Sequence, residues 1–459
     1  MFQVRGSAQH ARAVERLRAS YAAIPSGSPV RLAKRTSNLF RPRAASSGPG
    51  LDVAALDGVI SIDRVASTAD VQGMCTYEDL VDATLPHGLI PYVVPQLRSI
   101  TLGGAVTGLG IESTSFRSGL PHESVIEMDV LTGSGEIVTA TPDNEHAQLF
   151  ATFPNSFGSL GYATRLRIRL ERVGSHVALR HLRFDDPALL AKTVSEIVET
   201  GEHEGRRVDG LDGASFQPGE HYLTIARWVS TAPDHSEVAS DYTGDLIYYR
   251  SLQTRETDLL TTYDYLWRWD TDWFWCSGAF GLGNPTVRRL WPKRYRRSDF
   301  YHKLIALDRR YDVADRIDRR LGNPVRERVI QDVEIPVEQL PEFLEWFDRK
   351  IGMRPVWLCP VVAFRDWPTY PLEPHRTYIN VGFWGGVRVG DEASEAPLNR
   401  AIEAKVHELG GHKSLYSEAF YDRETFDDLY DGDNLAAVKR RYDPDDRLTS
   451  LYDKVVKRK

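Results

Sequence analysis

A chain of 459 residues is about three times the usual domain size, which predicts two domains sharing an interface. Hydrophobic residues make up 42% and charged residues 26%, an ordinary globular composition that excludes collagen, coiled coil and extended disorder. The formal charge of −7 offers no basic field with which to displace counterions from phosphates, so nucleic acid is not an expected partner.

Cys75, Cys276 and Cys359 stand far apart with no CxxC pair, which predicts neither a disulfide framework nor a zinc site. No apolar run approaches the roughly 18 residues of a membrane span. The N-terminus has no apolar signal stretch either, so the expectation is a cytoplasmic protein with reduced thiols.

In chain order, residues 8–23 read as an amphipathic helix ended by Pro25-Ser26-Gly27-Ser28-Pro29. From Val30 to about Leu170, short apolar strands (VIEMDVLTG, EIVTATP, ATRLRIRLERV) alternate with helical text such as TYEDLVDATLPHG. This is the pattern of an α+β nucleotide-binding domain, and the first domain is set at 1–173. Residues 174–406 hold most of the tryptophans, including YDYLWRWDTDWFWC, and the strand signal RPVWLCPVVAF, and read as a second, aromatic-rich domain. Residues 407–459 carry one helix across RETFDDLY…NLAAVKRRY and a last helix in DRLTSLYDKVVKRK.

The chemistry concentrates in Pro95-Gln96-Leu97-Arg98-Ser99-Ile100-Thr101-Leu102-Gly103-Gly104-Ala105-Val106-Thr107-Gly108-Leu109-Gly110-Ile111-Glu112-Ser113. Its glycines let a backbone approach a ligand closely and aim N–H groups at an anion such as a pyrophosphate. A bare glycine pattern is more often a packed turn, so its neighbours decide the matter. Gly119-Leu120-Pro121-His122-Glu123-Ser124-Val125 leads into the strand VIEMDVLTGSGEI, and Gly158-Ser159-Leu160-Gly161-Tyr162 leads into ATRLRIRL.

These three segments, in this order, resemble the vanillyl-alcohol oxidase and p-cresol methylhydroxylase superfamily of FAD enzymes. TLGGAVTGLGIESTSFRSGLPHESVIEMDVL, FPNSFGSLGY, RPVWLCPV and LYSEAFYDRETFDDLYDG look like its Δ24-sterol reductase branch. They are similar above all to the actinobacterial members taken to reduce a 10-methylene fatty acyl chain to a 10-methyl branch. The resemblance implies an α+β, two-domain FAD-binding fold of the vanillyl-alcohol oxidase type, with a substrate or cap domain and a C-terminal segment returning to the FAD domain.

It also implies FAD contacts at Pro95, Gln96, Thr101, Gly103, Gly104, Gly108, Ile111, Glu112 and Ser113, at Gly119, His122 and Glu123, and at Gly158, Ser159, Gly161 and Tyr162. The superfamily's first phosphate loop is glycine-rich, whereas the equivalent RLAKRTSNLFRPR is not, so Thr36, Ser37 and Asn38 would supply the donors there. With no glycine-flanked His or Cys in that loop, non-covalent FAD is expected, and NADPH as reductant.

An isolated alkene is electron-rich, so hydride adds only once a proton has been placed on the other carbon, and the site needs a general acid. Tyr416, Glu112, His122 and Glu418 are the candidates. Each has a plain alternative: a packed tyrosine with a satisfied hydroxyl, a capping carboxylate, a histidine holding the cofactor loop. The rings Trp267, Trp269, Trp273, Phe274 and Trp275 either line a lipid channel or form core.

Arg288, Arg289, Lys293, Arg294, Arg296 and Arg297, interleaved with aromatics over 288–301, could rest on anionic headgroups as a peripheral membrane contact. His407-Glu408-Leu409-Gly410-Gly411-His412 spaces its histidines five apart with two glycines between, unlike a zinc protease helix, so no metal is expected. A functional pairing with an S-adenosylmethionine-dependent lipid methyltransferase is expected for the branched-lipid reading. The rival readings are an alcohol or sugar oxidase or dehydrogenase, a sterol double-bond reductase, and a non-catalytic flavin-fold accessory protein.

Overall fold

The computed structural model describes residues 4–34, 40–41, 49–230, 238–244, 246–311, 326–390 and 395–458. Two antiparallel sheets organise them. The first joins β1 (Val59–Asp63), β2 (Thr68–Gln72), β3 (Leu89–Pro91), β4 (Val125–Leu131), β5 (Ile137–Ala140) and β6 (Tyr162–Arg172) in the order β1-β2-β6-β4-β5, with β3 also on β6. Its centre is β6, where Leu166, Ile168 and Leu170 turn inward and the arginines between them turn out, the period-two pattern of a half-buried strand. Arg165 on the outer face binds Asp70, Glu127 and Asp129 across three strands.

The chain crosses to the second sheet between β6 and β7 (His176–Phe184). A two-stranded ribbon, β8 (Glu202–His203) and β9 (Arg206–Arg207), precedes β10 (Gly210–Gln217), β11 (Glu220–Val229), β12 (Thr257–Thr261), β13 (Arg326–Pro336), β14 (Val356–Val362), β15 (Thr377–Arg388) and β16 (His412–Lys413). The eight main strands run in the order β12-β7-β11-β10-β14-β15-β13-β16. This is an α+β, two-domain fold.

One face of the second sheet carries Val329, Val333, Ile335, Ile379, Val381 and Phe383 against the helices Pro187–Thr200, Leu340–Lys350 and Pro397–Glu408. The other face presents Trp357, Cys359 and Tyr378 to a core shared with the first sheet. A single apolar core therefore runs through both layers, and the residues between them are placed by both.

β16 lies beyond the 406/407 boundary drawn from the sequence and pairs with β13 before the chain returns to the first layer. The helical text after Arg423 forms two helices, Arg423–Leu429 and Gly432–Tyr442. Asp431, at φ 50, breaks the single helix the sequence suggested and caps the second through a bond from the Asn434 amide. The last helix is shorter than read, Leu451–Val455, because Ser450 caps it there. The first helix is Ser7–Ala22.

Candidate active site

Between the two sheets lies a cavity of about 1050 Å³. Single small-molecule sites span about 300–1,000 Å³, so there is room for a large cofactor beside a substrate. Its floor is the helix Leu102–Gly108, started by Thr101, whose hydroxyl accepts from the Gly104 amide at 3.2 Å. Gly103 is required by packing: a Cβ would stand 2.6 Å from the Gly73 carbonyl oxygen. Gly161, at φ +137, allows β6 to start within 2.5 Å, Cβ to oxygen, of the Leu131 carbonyl. The result is bare backbone along one wall, with Gly108 and Gly158 completing it.

Arg31, Lys34, Arg41 and Lys454 also line the cavity, and Asp332 is the one carboxylate among its described lining residues. Lys454 arrives on the C-terminal helix and donates to the carbonyls of Phe157 (3.0 Å) and Gly158 (2.8 Å). Arg41 lies over the Phe157 ring at 4.6 Å and bonds the Leu415 carbonyl. Lys34 reaches the Thr101 hydroxyl at 3.4 Å. Gln96 is buried against the cavity with neither amide atom hydrogen-bonded by the protein. Such an orphaned amide is costly unless a ligand satisfies it. Leu109 (φ 62), Phe157 (φ 47), Trp273 (φ 45) and Phe274 (φ 60) hold left-handed backbone, and all four line the cavity. Strain of this kind concentrates at ligand sites.

Phe40, Trp273, Phe274, Trp357 and Trp384 line the cavity as well, together with Asp332 and Tyr416. Phe274 stacks on Trp384 at 4.4 Å and Trp273 on Phe40 at 5.6 Å. Asp332 projects from β13 on the face opposite Val333. Trp384 Nε1 donates to the Tyr416 hydroxyl at 2.8 Å, leaving its proton for Asp332. Asn380 Nδ2 donates to Asp332 Oδ1 at 2.9 Å. Burial pushes the Asp332 carboxyl up to about 6 although these two hydrogen bonds hold it down. Burial, then the Asp332 charge, raises Tyr416 well above the usual phenol range. Gly382, opposite Asp332 on β15, leaves the space: a Cβ there would collide with the Asp332 carboxylate and approach the Trp384 ring to 2.7 Å.

Of the residues expected from the sequence, Pro95, Gln96, Thr101, Gly103, Gly104, Gly108, Ile111, Gly158, Gly161, Tyr162 and Tyr416 come together on this cavity. Thr36, Ser37 and Asn38 lie outside the described residues. The remainder sit elsewhere. Glu112 is buried in an ion cluster, 3.0 Å from Arg268, which also binds Asp212 at 3.0 Å. Ser113 bonds the Tyr265 hydroxyl at 2.7 Å. Glu123 accepts from the Phe364 amide (3.0 Å) and Trp367 Nε1 (2.9 Å), under Gly119. His122 packs edge-on to Trp367 at 4.4 Å, its pKa lowered to about 3 by burial. Ser159 is buried beneath the loop, and Glu418 pairs with Arg458 at 3.1 Å.

The tryptophan run divides: Trp267 and Trp269 are core, while Trp273 and Phe274 face the cavity. Asp332, Trp384 and Lys454 escaped the sequence reading. The signal for Asp332 was present in RERVIQDVEIP, where two acids two residues apart share one face of a strand whose other face sends Val329, Val333 and Ile335 into the core.

Residues 10–141 match the FAD binding domain family. The cavity fits that cofactor: cations and bare backbone for a pyrophosphate, and the orphaned Gln96 for the hydrogen-bonding edge of a ring. The chain thus carries an FAD-binding domain and is an FAD-dependent oxidoreductase. Over 442 residues it is 24% identical to a Delta(24)-sterol reductase of Arabidopsis thaliana, covering 88% of this chain and 75% of the plant protein. The Delta(24)-sterol reductase of Homo sapiens is 24% identical over 419 residues, covering 87% and 76%. Cytokinin dehydrogenase 10 of Oryza sativa subsp. japonica is 35% identical over 203 residues, 41% of this chain and 36% of its own.

Proposed function

We infer that the chain reduces an isolated carbon–carbon double bond of a lipid with electrons from NADPH, and that its substrate is the methylene group of a 10-methylene fatty acyl chain. The observation carrying this reading is Asp332, the one carboxylate among the described lining residues, which burial among indole and phenyl rings pushes up to about 6. An alkene has no carbonyl to polarise, so a proton donor in a water-poor, aromatic setting is what its reduction demands. When bound, FAD supplies the electron pair, taken from the nicotinamide and given to the alkene as hydride.

Asp332 places its proton on the terminal methylene carbon, and the charge then rests on the branched carbon. The faces of Trp273, Phe274 and Trp384 stabilise that charge. Tyr416, fixed by Trp384 Nε1, takes up the charge left on Asp332 by hydrogen bonding. Gln96 and the bare backbone hold the cofactor, and Arg31, Lys34, Arg41 and Lys454 neutralise its phosphates. The relatives named as sterol reductases support a lipid alkene in general, and the motif phrases favour the acyl chain. A methylene substrate arises by methyl transfer to an unsaturated chain, so a lipid methyltransferase is the expected supplier.

A peripheral membrane contact, on this reading, would use the helix Pro285–Leu290 and the residues after it. Arg288 is buried on Asp272 at 2.6 Å and Arg296 on the Gly244 carbonyl at 2.6 Å, and the half-buried Arg297 pairs with Glu78 at 2.6 Å. Arg289, Lys293 and Arg294 remain at the surface beside exposed Val287 and Leu290, a patch suited to anionic headgroups. Among the described residues no helix is long and apolar enough to cross a membrane.

The test is anaerobic absorption spectroscopy of the FAD-loaded protein. NADPH is expected to bleach the flavin, and a 10-methylene acyl lipid to restore it with formation of the methyl branch. Restoration by a Δ24-sterol alone moves the assignment to sterol. Indifference to NADPH, with oxygen uptake on alcohols, replaces it with the oxidase reading that the partial match to a cytokinin dehydrogenase supports.

A further inference from the structure

Each turnover of such a reductase consumes one solvent proton. The O–H bond of Asp332 breaks as a C–H bond forms, a hydride originating from NADPH completes the saturated carbon pair, and Asp332 is left as a carboxylate. A lipid filling the aromatic end bars water from that carboxylate, so the proton has to return by another route.

β13 supplies one. Glu334 lies two residues after Asp332 on the same face of the strand, fully buried, with no hydrogen bond of ordinary length to either carboxylate oxygen and the Tyr370 hydroxyl close by. Directly across from it are Asn380 on β15 and His412 on β16. Residues opposite one another in an antiparallel ladder hold their Cβ atoms about 4.5–5.5 Å apart on one face. His412 is partly exposed and its buried Nδ1 has no partner, so this row runs from the cavity-lining acid outward.

Tyr370 faces the same pair, its ring 5.7 Å from that of His412. Tyr421 and Tyr430 close the row on the side of the buried Lys413–Glu403 pair, and Tyr416 closes it toward the cavity. Burial raises Glu334 to about 8, with the Asp332 charge adding and the Tyr370 hydroxyl only partly offsetting it. Burial and the neighbouring His407 lower His412 to about 4. Glu334 is therefore a stored proton at neutral pH, and His412 a neutral imidazole that can accept at one nitrogen while donating from the other.

We propose that Glu334 and His412 form a proton path that reloads Asp332 from solvent after each turnover, a role that rests on the alkene-reductase reading above. Glu334 delivers to Asp332 and is itself refilled through His412. No other group is consumed.

The test uses the FAD-loaded full chain and Glu334→Gln, Glu334→Asp and His412→Phe. Flavin bleaching by NADPH is expected to be unchanged in all three. Steady-state reduction of the methylene lipid is expected to fall roughly tenfold to a hundredfold in Glu334→Gln with a larger solvent deuterium effect, and to recover in part in Glu334→Asp. Infrared spectra at neutral pH, taken without substrate, are expected to show a protonated-carboxyl band that Glu334→Gln removes and Asp332→Asn retains. Equal turnover in wild type and Glu334→Gln, or a band untouched by that change, overturns the path. Failure of the wild type to reduce any lipid alkene overturns the reading beneath it, and the two failures are separate observations.

Discussion

Asp332 has to be acidic enough to give up a proton and dry enough to keep one until the alkene arrives. Burial supplies the second property and the bonds from Asn380 and Tyr416 temper it. Asp332→Asn keeps the shape and the bond from Asn380 but carries no labile acid. It is expected to slow alkene reduction by about 10²–10⁴-fold while NADPH still bleaches the flavin, checked by following the two half-reactions separately. Tyr416→Phe removes one hydrogen bond to the carboxylate and is expected to cost about tenfold in the same step.

Glu334 yields a stability prediction of definite sign. Its folded pKa lies near 8 against 4.5 for an ordinary glutamate, so the folded protein holds a proton that the unfolded chain releases. Stability from this group is full below about pH 4.5, declines as pH rises, and is lost above about 8. At about 1.4 kcal/mol per unit the penalty is on the order of a few kcal/mol. Glu334→Gln has no such group, so its melting temperature is expected to exceed that of the wild type at pH 9 and to approach it at pH 5. Parallel curves would remove the burial argument.

At the scale of elements, the C-terminal helix Leu451–Val455 pins the loop after Phe153 through Lys454. That loop carries Asn155 and Phe157 in left-handed backbone, a conformation that costs energy and persists only under constraint. Lys454→Met is expected to leave the fold intact and weaken FAD retention, read as the flavin-to-protein ratio after dialysis. The helix Pro285–Leu290 offers Leu290, 80% exposed, beside Arg289. Arg289→Glu with Leu290→Asp is expected to reduce flotation with anionic vesicles and leave reduction of a detergent-dispersed substrate unchanged.

These elements differ in how far the sequence announced them. Gly103, Gly108 and Gly161 were legible because close backbone packing and positive φ select one residue type locally, whatever lies far along the chain. The β13 acids were not, because an aspartate and a glutamate alternating with valine and isoleucine ordinarily mark a solvated face. Only the distant segments packed over that face, bearing Tyr370 and then Tyr416, Tyr421 and Tyr430, make it buried. Lys454 is one basic residue in a basic tail until the tail folds back 296 positions to Gly158. Glu112 was legible as an acid or a capping carboxylate and not as one half of an ion pair, since its partner Arg268 stands 156 positions away.

That Glu112–Arg268 contact belongs to the whole molecule. Arg268 follows the helix Thr262–Trp267, is fully buried, and binds Glu112 from the cavity loop and Asp212 from β10. Trp269 and Trp357 donate to the same Asp212 oxygen at 2.9 and 3.3 Å, and the Tyr265 ring lies 3.9 Å from the guanidinium. The cluster therefore ties the first layer to the second at the point where the loop bearing Gly110 and Ile111 enters the cavity. A buried pair of this kind adds little against an apolar substitute, but losing one member strands the others.

Arg268→Met strands two carboxylates and is expected to cost about 3–5 kcal/mol in urea unfolding, against a smaller loss for Glu112→Gln, which leaves Arg268 still paired with Asp212. Because one apolar core spans both layers, the midpoint should move while the transition stays single. Two resolved transitions would instead mean that the layers fold separately and that the cluster is their principal tie. FAD should also leave Arg268→Met more readily, since Ile111 precedes the stranded Glu112 in the chain and its position depends on where that carboxylate settles.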